Sequence, residues 1–401
     1  MKNLVKIPEI LLPEKDYYEW AVVACDQFTS EPWYWEKLDK TVGDKPSTLR
    51  ITFPEVYLGK GDDERIANIN STMQSYIDGE ILSKKINSFI LVERKTEGKT
   101  RTGLMISVDL DSYDFTPFAD VPVKATEGTI LSRIPPRVKI RENAPLELPH
   151  IMLLVDDREG ELFGKLKANK DKFTVAYDTE LNMGGGSIKG YVVSDPEMVY
   201  DSLEKLNSSE QKIKKYGKET KFIFAVGDGN HSLATAKQCW ENLKAKGASS
   251  NHPARYALCE LVNIYDEGLF FEPIHRVLFC AKDSFKQKLL SLTGDKSLKA
   301  IGSEDIKVSG TAPEIIAKLQ NMFEQGVKDG EIEEVDYVHG ESSVREIVQK
   351  RAGSMGILMP TIDKSELFAY VLNSGVLPKK AFSMGEANEK RYYMETRIIK
   401  E

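Results

Sequence analysis

The stretch Lys221–Lys237, KFIFAVGDGNHSLATAK, limits the possible folds of this chain more than any other. It opens with an aromatic-rich apolar run, Phe222 to Val226, whose composition predicts a buried strand. Gly227, Asp228, Gly229 and Asn230 follow and predict a tight reversal, because glycine reaches backbone dihedrals closed to other residues. From His231 the apolar spacing turns helical, through Leu233, Ala234 and Ala236 to Trp240 and Leu243. A strand that turns straight into a helix leaves unpaired backbone N–H groups beside Asp228, Asn230, His231 and Ser232. Such helix starts bind anions, phosphate above all. The alternative is purely local: Asp228 or Asn230 caps the helix and His231 makes one hydrogen bond in its first turn. The spacing is neither that of a P-loop nor Gly-x-Gly-x-x-Gly.

A second stretch is basic. Between Lys124 and His150, Arg133, Arg137, Lys139 and Arg141 are interleaved with Glu127 and Glu142, and Pro135-Pro136 stiffens the segment and begins a turn or helix. Guanidinium groups held by a stiff backbone suit phosphate or carboxylate oxygens, although a surface salt-bridge network has the same composition. His275 and Arg276 close a strand-like run from Phe271 to Val277 and add anion-binding donors, unless His275 is held by a backbone carbonyl. Trp33, Tyr34 and Trp35 follow Pro32 at a helix start and read as packing residues or as a stacking surface for a ligand ring.

Composition removes several function classes. The 401 residues are 41% apolar and 29% charged, as in an ordinary soluble globular protein. A formal charge of −7 argues against nucleic-acid binding through bulk electrostatics. No apolar run approaches the roughly 20 residues of a membrane-spanning helix, and the N-terminus lacks the features of a signal peptide. Cys25, Cys239, Cys259 and Cys280 form no Cys-x-x-Cys pair, which predicts reduced thiols and a cytoplasmic protein.

The order of apolar runs predicts a mixed α/β (α+β) fold. Strands are expected at Leu49–Pro54, Ser88–Arg94, Arg101–Leu110, Ile151–Val155, Phe173–Tyr177, Ile188–Val193 and Tyr256–Ile264, with a helix over Asp62–Ile77. Residues 1–282 are expected to form the main domain. Residues 283–401 form a smaller α/β unit whose last strand, Tyr392 to Ile399, returns to the main sheet.

These motifs resemble those of an uncharacterised prokaryotic family, domain of unknown function one thousand and fifteen. Asp228-Gly229-Asn230-His231 resembles its Asp-Gly-His-His-Arg signature, and Ala24-Cys25-Asp26 sits where the family has Pro-Tyr-Asp. The basic segment Arg133 to His150 and the element Phe271 to Val277, similar to Pro-Thr-His-Arg-Val, occur in the family's order. Asn230 replaces the first motif His, and Ser232 replaces the motif Arg, which removes a phosphate donor. The signature is itself similar to the phosphate-binding motif of the ParB and sulfiredoxin superfamily, which includes nucleotide-hydrolysing partition proteins and a free-serine kinase. The resemblance implies a ParB/sulfiredoxin-like mixed sheet and a nucleotide or phosphorylated small molecule as ligand. Gly227, Gly229, Asn230, Ser232, Arg133, Arg137, His275 and Arg276 would then bind that ligand.

Three functions fit these residues. The first is a phosphotransferase or nucleotide hydrolase, in which Asp228 holds Mg²⁺ or acts as base and His231 assists proton transfer. The second is a non-catalytic sensor or scaffold binding the same ligand, a reading favoured by the missing Arg. The third is a metal-dependent hydrolase using Asp228, His231 and His275.

Overall fold

A computed structural model describes residues 1–378 and 380–401. By internal contact the chain forms two compact units. The first comprises residues 1–125, 129–269 and 386–401, and the second comprises 126–128 and 270–385. The fold is mixed α/β.

The first unit is built on a ten-stranded mixed sheet. Its order is Thr174–Leu181, Gly186–Val192, Ile90–Thr96, Lys99–Asp109, Tyr256–Asn263, Ile151–Val155, Phe224–Asp228, Val123–Ala125 and Tyr113–Asp114, with Val5–Lys6 pairing beside Lys99–Asp109. The central runs are apolar at nearly every position because both faces of the sheet are covered. Successive side chains alternate between faces, so Leu91, Leu104, Ile106 and Leu153 join one core while Ile90, Val92, Met105 and Leu258 join the other. Helix Asn230–Ala245 covers the first face with Leu233, Ala234, Ala236 and Trp240. Helices Pro32–Val42 and Asp62–Asp78 cover the second, where Tyr34 and Trp35 are buried and Trp33 is exposed.

Leu49–Pro54 departs from the expected strand. Thr48–Ile51 is a single 3₁₀ turn, started by the Ser47 hydroxyl accepting from Leu49 N–H and held by Thr48 Oγ1 donating to the Trp20 carbonyl. The C-terminal segment makes two short pairings within the first unit, outside the large sheet. Tyr392–Tyr393 pairs with Val22–Val23, and Arg397–Ile398 pairs with Leu146–Glu147.

The second unit has an antiparallel sheet in which Phe271–Phe279 pairs with Glu334–His339, Met355–Ile357 and Phe382–Met384. Helix Glu341–Lys350 packs on it through Val344, against Val277 and Val338.

A buried ion cluster fixes the C-terminal segment in the first unit. Arg391 Nη1 donates to Glu260 Oε2 at 2.6 Å, and its Nη2 donates to Glu395, which also accepts from the Tyr177 hydroxyl. Arg101 Nε lies 3.6 Å from the other Glu260 oxygen. Burial alone would raise the Glu260 pKa, but Arg391 and Arg101 bring it below the ordinary carboxylate range. Replacing Arg391 with Met would leave two buried carboxylates short of a partner. The expected loss of stability in urea unfolding is about 3–5 kcal/mol; a loss under about 1 kcal/mol, the scale of an exposed pair, would show that the cluster does not hold the tail.

Candidate functional site

Phe224, Ala225 and Val226 anchor their strand in the sheet, and the strand continues through Gly227 to Asp228. Gly229 then takes a left-handed conformation, with φ of +78°, and helix Asn230–Ala245 begins. Only glycine suits this position. A Cβ there would lie 3.0 Å from the Ile151 Cα and 3.3 Å from the His150 carbonyl oxygen, so the turn is pressed against the start of the neighbouring strand. Gly229 brings no side chain to cap the helix. Nor does Asp228, whose Oδ1 accepts from Gly229 N–H at 2.9 Å while its Oδ2 faces Lys390 Nζ at 3.2 Å. The Asn230 Oδ1 is buried and has no hydrogen-bond partner.

Helix Ile134–Arg141, opened by Pro135 and Pro136, brings the basic segment to the same end of the first unit. Ile130 N–H donates to His231 Nε2 at 3.2 Å, which places the proton of the neutral ring on Nδ1. Burial first, then the Arg137 and Arg133 charges, push the His231 pKa down to about 4. Arg133 is exposed, whereas Arg137 is half-buried in an ion pair with Glu55.

Four residues outside the expected set complete the cluster. His150 stands immediately before strand Ile151–Val155 and touches the Gly229 turn. Its Nε2 lies 3.3 Å from Asp26 Oδ2, and its Nδ1 lies 2.7 Å from the Tyr393 hydroxyl. That hydroxyl also accepts from Cys25 N–H at 3.1 Å and donates to Cys25 Sγ at 3.2 Å. Burial disfavours a charged His150, but the groups on its two nitrogens, Tyr393 and Asp26, raise its pKa well above the ordinary value. Burial likewise opposes ionisation of Asp26, yet His150, Gln27 and Lys390 hold it well below the carboxylate range. Lys390 therefore serves two carboxylates, Asp26 through its field and Asp228 by direct contact. Asp26 and His150 lie in stretches that carry the family resemblance, Lys390 and Tyr393 do not, and nothing local in the sequence joins the four.

His275 and Arg276 belong to the second unit. His275 Nδ1 accepts from Met359 N–H at 3.1 Å. Arg276 is fully buried and donates to Gln320 Oε1 and to the carbonyls of Ile274 and Lys380, with its guanidinium 4.5 Å from the Tyr337 ring centroid.

Each Asp228 oxygen already has a protein partner, Gly229 N–H on Oδ1 and Lys390 Nζ on Oδ2. Among the described residues no group of three or more His, Cys, Asp or Glu is placed to hold a metal ion. No helix among them is long and apolar enough to cross a membrane.

The family model described as "Protein of unknown function (DUF1015)" matches residues 7–370. The chain belongs to this family. No curated protein matches it. Among solved structures it is similar to a free serine kinase in complex with AMP, at 12% identity and a TM-score of 0.39, over 77% of this chain and 94% of that one. A mutant form of a free serine kinase in complex with ADP gives 11% identity and a TM-score of 0.40, over 77% and 95%. A conserved hypothetical protein from Pyrococcus furiosus gives 11% and 0.35, over 76% and 98%. Likenesses this distant say nothing of what the present chain binds.

The depressed His231 pKa has a measurable consequence. Between its ordinary 6.5 and about 4 the unfolded chain takes up a proton that the folded chain refuses, so stability falls as pH drops through this window. Above pH 6.5 the ring is neutral in both states and this effect vanishes. A His231→Gln variant should lose less stability than the unsubstituted protein between pH 6.5 and 4 in urea titrations; equal losses would show that the ring is not held neutral.

Proposed function

We propose that the first unit binds a phosphorylated small molecule, a nucleotide being the leading class, at the Asp228–Ser232 turn, and that it serves phosphoryl transfer or hydrolysis. The observation carrying this reading is the helix start at Gly229, which has no side-chain cap and is ringed by His150, Lys390 and the arginines at His231. Phosphate oxygens would accept from the amides of Asn230, His231 and Ser232, from the Ser232 hydroxyl and from His231 Nδ1–H. Arg133, the more exposed arginine, adds charge from outside. His275 and Arg276, both in the second unit, are not part of this proposal.

The two histidines have opposite electrostatics. The His231 pKa is lowered and its neutral ring carries the proton on Nδ1, whereas the His150 pKa is raised by Tyr393 and Asp26, so His150 stands beside the turn as part of an ion pair. Such divergence between neighbouring titratable groups is common where proton transfer is organised. In this reading an arriving phosphate draws Lys390 from Asp228, and the freed carboxylate takes the proton of the attacking hydroxyl or water. As that oxygen bonds to the terminal phosphorus, the bond from phosphorus to the bridging oxygen breaks and the electron pair leaves on the nucleotide's remaining phosphate. The charge needed by the phosphoryl group then comes from preset donors. Any Mg²⁺ would be held by the nucleotide's own phosphates, where it would supply charge neutralisation.

A non-catalytic sensor is the second reading, favoured by Ser232 where the family signature has Arg and by the occupied Asp228. One experiment separates the two. A ligand at about 100 times its dissociation constant adds about 2.7 kcal/mol to the folded state. A thermal-shift screen of nucleotides and phosphorylated metabolites should give a hit that is lost in His231→Ala, and turnover of that hit should disappear in Asp228→Ala. Binding without turnover in the unsubstituted protein would establish the sensor. A blank screen on folded protein, or a hit unchanged in His231→Ala, would overturn the phosphate site.

A further inference from the structure

Beside the turn lies a cavity of about 170 Å³ whose two ends differ in chemistry. Ser232, His150, Tyr393 and Cys25 line one end. Most of the remaining wall is apolar, with Ile51, Phe53, Ile69, Met73, Ile140 and Leu148 among its residues, while Thr52, Thr235 and the paired Glu55 and Arg137 also reach it. Arg141 and Glu147 also reach the wall, but they neutralise each other at 2.5 Å, and Glu147 is further held by Arg397 Nε at 2.7 Å.

Protein interiors are close-packed, and voids that exceed a water molecule are few. A dry apolar cavity of about 150 Å³ holds a benzene-sized guest. The present space is of that order and reaches Ser232 in the first turn of helix Asn230–Ala245.

We propose that the phosphorylated ligand, or the hydroxyl compound that accepts its phosphoryl group, carries a compact apolar group of about benzene size that fills this cavity. The assignment rests on the phosphate reading of the turn for the position of the polar end. It names the substrate class: a small alcohol or its phosphomonoester with a branched aliphatic or single-ring body. The apolar body enters between helix Asp62–Asp78, which contributes Ile69 and Met73, and helix Ile134–Arg141, which contributes Ile140. Its oxygen then emerges at Ser232 and His150.

The test uses the full chain with methyl-labelled Met and Ile. Benzyl alcohol, cyclohexanol and 3-methylbutanol are titrated separately, followed by benzyl phosphate and methyl phosphate, while the methyl resonances of Met73 and Ile69 are observed by NMR. At least one of the three alcohols should shift both methyls, and benzyl phosphate should bind about tenfold or more tighter than methyl phosphate, a gain of about 1.4 kcal/mol. Ala144→Leu, which builds into the cavity wall, should weaken the alcohol about tenfold and leave methyl phosphate unchanged. If Ala144→Leu does not fold, Ile69→Phe serves the same purpose. No methyl shift with any alcohol, or shifts that survive both filling variants, would overturn the proposal. Failure of methyl phosphate to bind while an alcohol shifts the methyls would refute the phosphate reading and leave the apolar assignment standing. Phosphate binding with no response to the alcohols would do the reverse.

Discussion

The burial of Arg391 between Glu260 and Glu395 is the interaction on which the candidate site depends. A guanidinium and two carboxylates can leave water only when each meets the others at hydrogen-bond distance. That requirement fixes where the C-terminal segment crosses the first unit. Its neighbours are fixed with it: the Trp20 indole donates to the Met394 carbonyl at 2.7 Å, and Ala24 N–H donates to the Arg391 carbonyl at 2.8 Å. Lys390, one residue before the arginine, then reaches Asp228, and Tyr393, two residues after it, reaches His150 and Cys25. Without this anchor the turn at Gly229 would keep its helix start but lose Lys390 and the Tyr393 hydroxyl.

Around that turn the charges are arranged with little slack. Asp26, Asp228 and Glu55 are each matched by a cation, respectively His150, Lys390 and Arg137. An incoming phosphate would therefore compete with carboxylates already in place, and its binding would be an exchange of partners. The helix amides are the fixed part of the site, because their direction is set by Gly229 and by the packing of Leu233, Ala234 and Ala236. The side-chain cations are the adjustable part.

The sequence revealed this site unevenly. Strand Ile151–Val155 is present with the expected bounds, and the strand expected over Phe222–Val226 is observed over Phe224–Asp228, because uninterrupted apolar runs have few alternatives to a doubly covered sheet. Pro135-Pro136 marked the helix that carries Arg137. The region Leu49–Pro54 was misread because its apolar spacing fits a strand, while side-chain bonds from Ser47 and Thr48 to partners distant in sequence bend it into a 3₁₀ turn. No local signature joins the members of the polar cluster, although Asp26 and His150 lie in stretches that resemble the family's motifs. His150 and Tyr393 are 243 residues apart, and no periodicity within a window of the chain can bring them together. Their common feature, a polar residue at or beside a strand end, is shared by many loop positions in any mixed sheet.

The most direct test of this account is a crystal structure of the protein grown with saturating ADP. The prediction is a phosphate group whose oxygens lie about 3 Å from the amides of Asn230, His231 and Ser232, with Lys390 turned from Asp228 toward it. A phosphate bound at another surface, with the Asp228–Lys390 pair intact and the helix start untouched, would contradict it.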